Sequence, residues 1–203
     1  MDETRRTGPE LRLGFLVDGG ADAGALPVLT EHLLGRPVQA EFVQARIRGC
    51  RQYVNDPKRY QGYVRSFQWR NILGGLVIVD NERDPNCVET LRAITAPSVG
   101  AHAVVGVAVE MLEAWLISCP NAWRRVFSHP LPPLTKEPEQ YQHPKNEVVV
   151  PFLLQHTKHR WLSEELAFDL AVEMGNEIET IKRRCPNFRQ FDAALNVIRR
   201  ELT

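Results

Sequence analysis

No apolar run in this chain is longer than eight residues, so nothing in it approaches the roughly 20 needed to cross a bilayer. The run at residues 103–109 is seven long and stops at Glu110. Paired cysteines are missing too. Cys50, Cys87, Cys119 and Cys185 stand far apart with no C-x-x-C, which argues against a zinc ribbon or a disulfide framework and points to a reduced cytoplasm. Net charge is absent: 25 basic residues balance 25 acidic ones, so the overall balance indicates no partner. No Gly-Lys-Ser/Thr triplet occurs, which removes a Walker loop, and Gly19, Gly20 and Gly24 miss the G-x-G-x-x-G spacing of a dinucleotide fingerprint. No serine or cysteine sits in a nucleophile elbow. The opening MDETRRTGPE is charged and has no apolar centre, so residues 1–10 are expected to be a disordered end and not a secretory signal.

What the 203 residues do contain is enough apolar material, 43%, for one sizeable core. Short apolar runs suited to buried parallel strands recur at residues 11–17, 76–79 and 103–109, with a more amphipathic one at 38–47 and helical segments between. This alternation predicts an α/β core with a mostly parallel, four-stranded sheet flanked by helices, over residues 11–120. Beyond it the character changes. Residues 129–146 hold five prolines and read as a loop, and helices are expected at 147–156, 163–174, 177–184 and 187–201. Residues 121–203 are therefore expected to form a C-terminal helical extension packed on the core.

Each of the three buried runs is followed by a carboxylate: Asp18, Asp80 and Glu110. In open α/β sheets ligands lie outside the carboxyl ends of the strands, so these acids can converge although 92 residues separate the first from the last. In VIVDNERD, Asp80 and Glu82 alternate and would point the same way from extended backbone. In VEMLEAWL, Glu110 and Glu113 share a helix face. Crowded carboxylates resist ionising unless a cation neutralises them, and Mg²⁺ or Mn²⁺ takes such hard oxygen ligands. The bland readings stand beside this one: Asp22 as a helix N-cap, Asp84 before Pro85 as a turn or cap residue, and Glu113 as a solvated helix position.

The order of strand, acidic-Gly-x-x-acidic loop, helix and later acidic-x-acidic strand end resembles the Toprim domain of topoisomerases, primases and overcoming-lysogenization-type nucleases. In that superfamily a Glu-Gly-x-x-Glu loop and an Asp-x-Asp pair bind Mg²⁺ for phosphodiester chemistry. VAVEMLEAWLIS, PEQYQHPKN and RRCPNFRQFDAAL resemble, more narrowly, a small bacterial Toprim-like family often encoded beside an ATPase in presumed defence loci. The resemblance runs from Leu11 to Leu195. It implies Asp18 as metal ligand or general acid-base, Asp80 and Glu82 as the metal pair, Asp22 with Glu110 or Glu113 as supporting ligands, and Lys145 as a phosphate contact. Asp18 and Asp22 stand where the superfamily usually has glutamate, and Glu82 where it usually has aspartate. Charge is kept and reach changes by one methylene.

Between Arg46 and Arg70 the charge is uneven. Arg46, Arg48, Arg51, Lys58, Arg59, Arg65 and Arg70 face a single acid, Asp56, so this window carries +6 and the remainder −6. Tyr53, Tyr60, Tyr63, Phe67 and Trp69 are interleaved. One reading is a nucleic-acid surface, with Arg46, Arg48, Arg51, Lys58 and Arg59 on phosphates and rings stacked on bases. The other is a helix over 57–73 whose rings face the core and whose cations face water. His156 and His159 read as surface histidines in preference to a zinc pair.

These features predict a Mg²⁺- or Mn²⁺-dependent nuclease or related phosphodiester-processing enzyme acting on DNA or RNA, and the resemblance makes it the effector of a bacterial defence system. The alternative is a non-catalytic Toprim-like subunit that binds nucleic acid or protein and works with an ATPase partner. A homo-oligomer is compatible with both, and a membrane is expected in neither. A haloacid-dehalogenase-type phosphatase fails because Gly20 stands where its second aspartate belongs.

Overall fold

The computed structural model describes residues 10–46, 49–70, 72, 74–80, 84–95 and 112–201. They form two units: those within 10–18, 34–95 and 190–201 belong to the first, and those within 19–33 and 112–189 to the second. The helix after the first strand thus groups with the C-terminal helices, whereas the sequence pattern had cut the chain near residue 120.

The first unit is built on a parallel sheet ordered β2-β1-β3, from β1 (Leu11–Leu16), β2 (Val38–Phe42) and β3 (Gly74–Val77). This is an α/β fold with three strands among the described residues, not four. The expected strand at 103–109 lies outside them. Leu11 pairs with Val38 and Leu13 with Gly74. Strand β1 is central, and its run LRLGFL is apolar because it is covered on both faces: only Arg12 is exposed, and it pairs with Glu41 on β2 at 2.8 Å.

Helices α2 (Cys50–Asn55), α3 (Pro57–Trp69) and α4 (Pro85–Thr95) supply the rest of this core. Asp56 caps α3 by accepting from Arg59 N at 3.2 Å, and Pro57 fits the first turn, where its missing N–H has no partner to lose. The helix buries Tyr60, Val64 and Phe67 at i, i+4, i+7 spacing, with Tyr53 of α2 alongside, while Lys58, Arg59, Gly62 and Arg65 face out. The core reading of these rings is therefore the correct one for Tyr53, Tyr60 and Phe67. Asp84 caps α4, accepting from Asn86 N and Cys87 N at 3.1 Å each, as the Asp-Pro pair suggests. Helix α11 (Asn196–Glu201) belongs to the same unit.

The second unit is helical among the described residues: α1 (Gly20–Leu34) through Leu33, α5 (Leu112–Ile117), α6 (Pro120–Phe127), α7 (Val150–His156), α8 (Glu164–Met174), α9 (Ile178–Arg184) and residues 186–189 of α10 (Pro186–Ala194). Trp115 meets Phe188 edge-on at 5.1 Å, and Trp123 meets Phe152 at 5.0 Å. The Trp123 indole donates to Leu116 O at 2.8 Å, so its burial leaves no polar atom stranded. The proline-rich loop is tied down: Thr135 N donates to the Tyr141 hydroxyl at 3.0 Å, Lys136 lies 4.3 Å over the Tyr141 ring, and residues Pro138–Gln140 make a 3₁₀ turn. No helix of the described residues is long and apolar enough to cross a membrane.

Candidate functional site

Strand order reverses at β1: the chain moves from β1 to β2 on one side and returns through α2 and α3 to β3 on the other. Loops leaving the carboxyl ends of strands on either side of such a point diverge and open a crevice. Asp18 lies two residues beyond β1 and Asp80 three beyond β3, and the two strands are hydrogen-bonded neighbours, with Ile78 N donating to Leu16 O at 2.9 Å. Both carboxylates therefore leave the same edge of the sheet within one unit. Ile78 and Val79 are buried and Asp80 is exposed.

Asp18 is half-buried. Its Oδ1 accepts from Gly49 N at 2.9 Å, across 31 residues. Gly49 precedes α2 with φ +83°, a left-handed conformation that favours glycine. Asp18 thus anchors the start of α2, a role no local sequence pattern reveals.

The other predicted ligands fall elsewhere. Asp22 belongs to the second unit, and its Oδ2 accepts from Gly19 N at 2.8 Å. An acid at the third helical position reaching back to the N-cap N–H is half of a capping box, so Asp22 fastens the start of α1. Glu113 also belongs to the second unit and is half-buried in the first turn of α5. Glu82 and Glu110 lie outside the described residues. Among the described residues no three histidine, cysteine or carboxylate groups stand together as a metal set.

Of the predicted nucleic-acid contacts, Arg46, Arg51, Lys58 and Arg59 are exposed in the first unit, and Arg48 lies outside the described residues. Arg59 is paired with Asp56 at 3.4 Å. Arg65, which was not placed among the contacts, shares the Lys58 face seven residues on, and the i, i+7 spacing on α3 is the signal that identifies it. Lys145 is exposed at the head of a π-helical turn, Lys145–Val149, that leads into α7. Glu147 in that turn accepts from His143 N at 2.7 Å and pairs with Lys136 at 3.2 Å, and the His143 bond first among these holds its carboxyl below the usual range.

The pieces EAWLIS, PEQ and RRCPN come together within the second unit. Arg184 donates to Ser118 O at 3.1 Å and to Glu137 at 3.4 Å, Glu139 accepts from Asn187 N at 3.0 Å, and Cys185 Sγ reaches Ala114 O at 3.8 Å. Glu137, Glu139, Gln140, Arg183, Arg184 and Pro186 line an open cleft, in which Arg184 is paired with Glu137 and Glu139 accepts from Asn187 N. Burial pushes the Cys119 and Cys185 thiols up to about 12, which keeps them protonated and poor nucleophiles.

Comparison with protein-family models, curated proteins and solved structures found no match to the chain.

Proposed function

We propose that the chain is a divalent-metal-dependent phosphodiesterase, acting as a nuclease, whose metal site is built on Asp18 and Asp80 and completed by Glu82. The observation that carries this reading is the departure of Asp18 and Asp80 from the carboxyl ends of the adjacent parallel strands β1 and β3, at the reversal of strand order. Mg²⁺ or Mn²⁺ held there would neutralise a phosphate oxygen and supply a water of lowered pKa. The chain's own part is to fix the carboxylates: the Gly49 N–H orients Asp18, and the buried Ile78-Val79 pair holds the backbone that presents Asp80. Lys58 and Arg65, exposed on α3 of the same unit, are suited to a phosphate backbone. Following the resemblance, the activity would serve a bacterial defence system with an ATPase partner.

The test is cleavage of single- and double-stranded DNA and RNA with Mn²⁺ or Mg²⁺, comparing the wild type with Asp80→Asn and Asp80→Ala. Removing a ligand should lower the rate by about 100-fold or more and weaken Mn²⁺ binding measured by calorimetry. Undiminished cleavage in both variants, or no divalent-metal binding by the wild type, would refute the proposal.

A second reading has its own support. Asp18 and Asp22 each accept a backbone N–H of the chain itself, as structural carboxylates do. A non-catalytic subunit that binds nucleic acid or an ATPase partner would bind without turnover in any divalent metal.

A further inference from the structure

The loop 157–163 presents four consecutive exposed side chains, Lys158, His159, Arg160 and Trp161, between two fixed ends. At its start Thr157 closes α7: its N–H and its hydroxyl both donate to Leu153 O, at 2.9 and 2.8 Å, and the same hydroxyl accepts from His159 N at 3.0 Å. At its end Leu162 is buried and Ser163 caps α8, accepting from Leu166 N at 3.2 Å. The backbone is thus held while the tip is given to solvent. Trp161 is 64% exposed, whereas Trp115 and Trp123 are buried. Among the described residues, neither Lys158 nor Arg160 has a carboxylate partner.

An exposed indole beside two unpaired cations carries both parts of single-strand recognition, a ring for a base and charges for the flanking phosphates. In the basic segment of the first unit, Tyr53, Tyr60 and Phe67 are spent in its core. We propose that the loop 157–163 is a contact for single-stranded nucleic acid, with Trp161 stacking on a base and Lys158 and Arg160 meeting the phosphates on either side.

The immediate surroundings favour a strand over a membrane. Glu164 and Glu165 are exposed directly after the loop, and a flat anionic bilayer pressed against Trp161 would meet them as well. A flexible strand needs only the tip. An acidic peptide would use the cations but give the indole no role. The choice of ligand class rests on the phosphodiester reading above; the placement of the contact does not.

The experiment uses the full chain in EDTA and a fluorescein-labelled oligothymidylate of about 20 nucleotides, with binding followed by anisotropy across a salt series. Trp161→Ala should weaken binding roughly tenfold or more, and Trp161→Phe should retain most of the affinity because a ring is kept. Lys158→Ala with Arg160→Ala should lower the slope of log K against log salt by about 1.4, at about 0.7 per phosphate contact. All three positions are exposed, so circular dichroism should be unchanged. Binding that is equal in all variants, no binding by the wild type, or Trp161-dependent binding to phosphatidylserine vesicles without oligonucleotide binding would each overturn the proposal. Trp161-dependent binding without Mn²⁺-dependent cleavage would leave the loop standing and remove the catalytic reading.

Discussion

The ring of Phe67 limits what positions 14 and 75 can hold, and at position 14 it does so with Ile72, whose Cδ1 would lie 2.5 Å from an added Cβ. Gly14 and Gly75 are direct partners across β1 and β3, and a Cβ added to either would lie 2.3 or 2.2 Å from Phe67 ring atoms. The helix packs this closely on the sheet because the two glycines leave room for the ring. Gly75→Ala should therefore destabilise the protein by about 1–3 kcal/mol in urea unfolding, and adding Phe67→Leu should recover part of the loss by relieving the overlap. Loss without recovery would mean that Phe67 is not the obstacle. The same locality explains what the sequence could reveal about carboxylates. Asp84 was readable as a cap because its partners, Asn86 and Cys87, are two and three residues away. Asp18 was not fully readable, because its partner Gly49 lies 31 residues off and nothing in a strand-to-loop pattern encodes it.

At the scale of elements, two helical glycines predict opposite outcomes. A Cβ on Gly24 of α1 would lie 2.0 Å from Glu164 O at the start of α8, and backbone cannot rotate away as a side chain can. Gly62, on the exposed face of α3, has nothing within 4 Å. Gly24→Ala should cost more than about 3 kcal/mol or abolish cooperative unfolding, while Gly62→Ala should stabilise by roughly 0.5–1 kcal/mol through its helix propensity. Thermal unfolding of the pair checks both signs. The elements themselves were mostly legible, since strands and helices follow local periodicity. Their ends were less so. Strand β3 begins at Gly74, not at Leu76, because Leu13 and Gly14 of β1 pair with Gly74 and Gly75 and override the poor strand propensity of glycine. The expected single helix over 187–201 is two, α10 and α11: Leu195 N is shared between Phe191 O and Asp192 O at 3.2 Å each, and Asn196 turns its side chain to Arg199 at 2.8 Å.

Across the whole molecule, the grouping of α1 with the C-terminal helices was the least legible feature, since the Gly24–Glu164 approach joins residues 140 positions apart and leaves no periodic trace. Charge is legible from the sequence in sum but not in use. The chain totals zero, yet Arg12 is tied to Glu41, Arg199 to Asp192 and Arg125 to Glu173 and Glu177, while Lys58 and Arg65 of α3 have no ionic partner among the described residues. A paired arginine carries its own counterion, so binding a phosphate there releases little salt, whereas an unpaired lysine releases nearly a full ion. Single-strand affinity should consequently fall with salt despite the zero net charge. Lys58→Gln with Arg65→Gln should reduce the slope of log K against log salt by about 1.4, and Arg12→Gln should leave it unchanged. Anisotropy with a labelled oligonucleotide in EDTA measures all three. A slope indifferent to Lys58 and Arg65 would show that the cationic face of α3 is solvated surface, and the +6 window would then owe its charge to keeping a core-facing helix soluble.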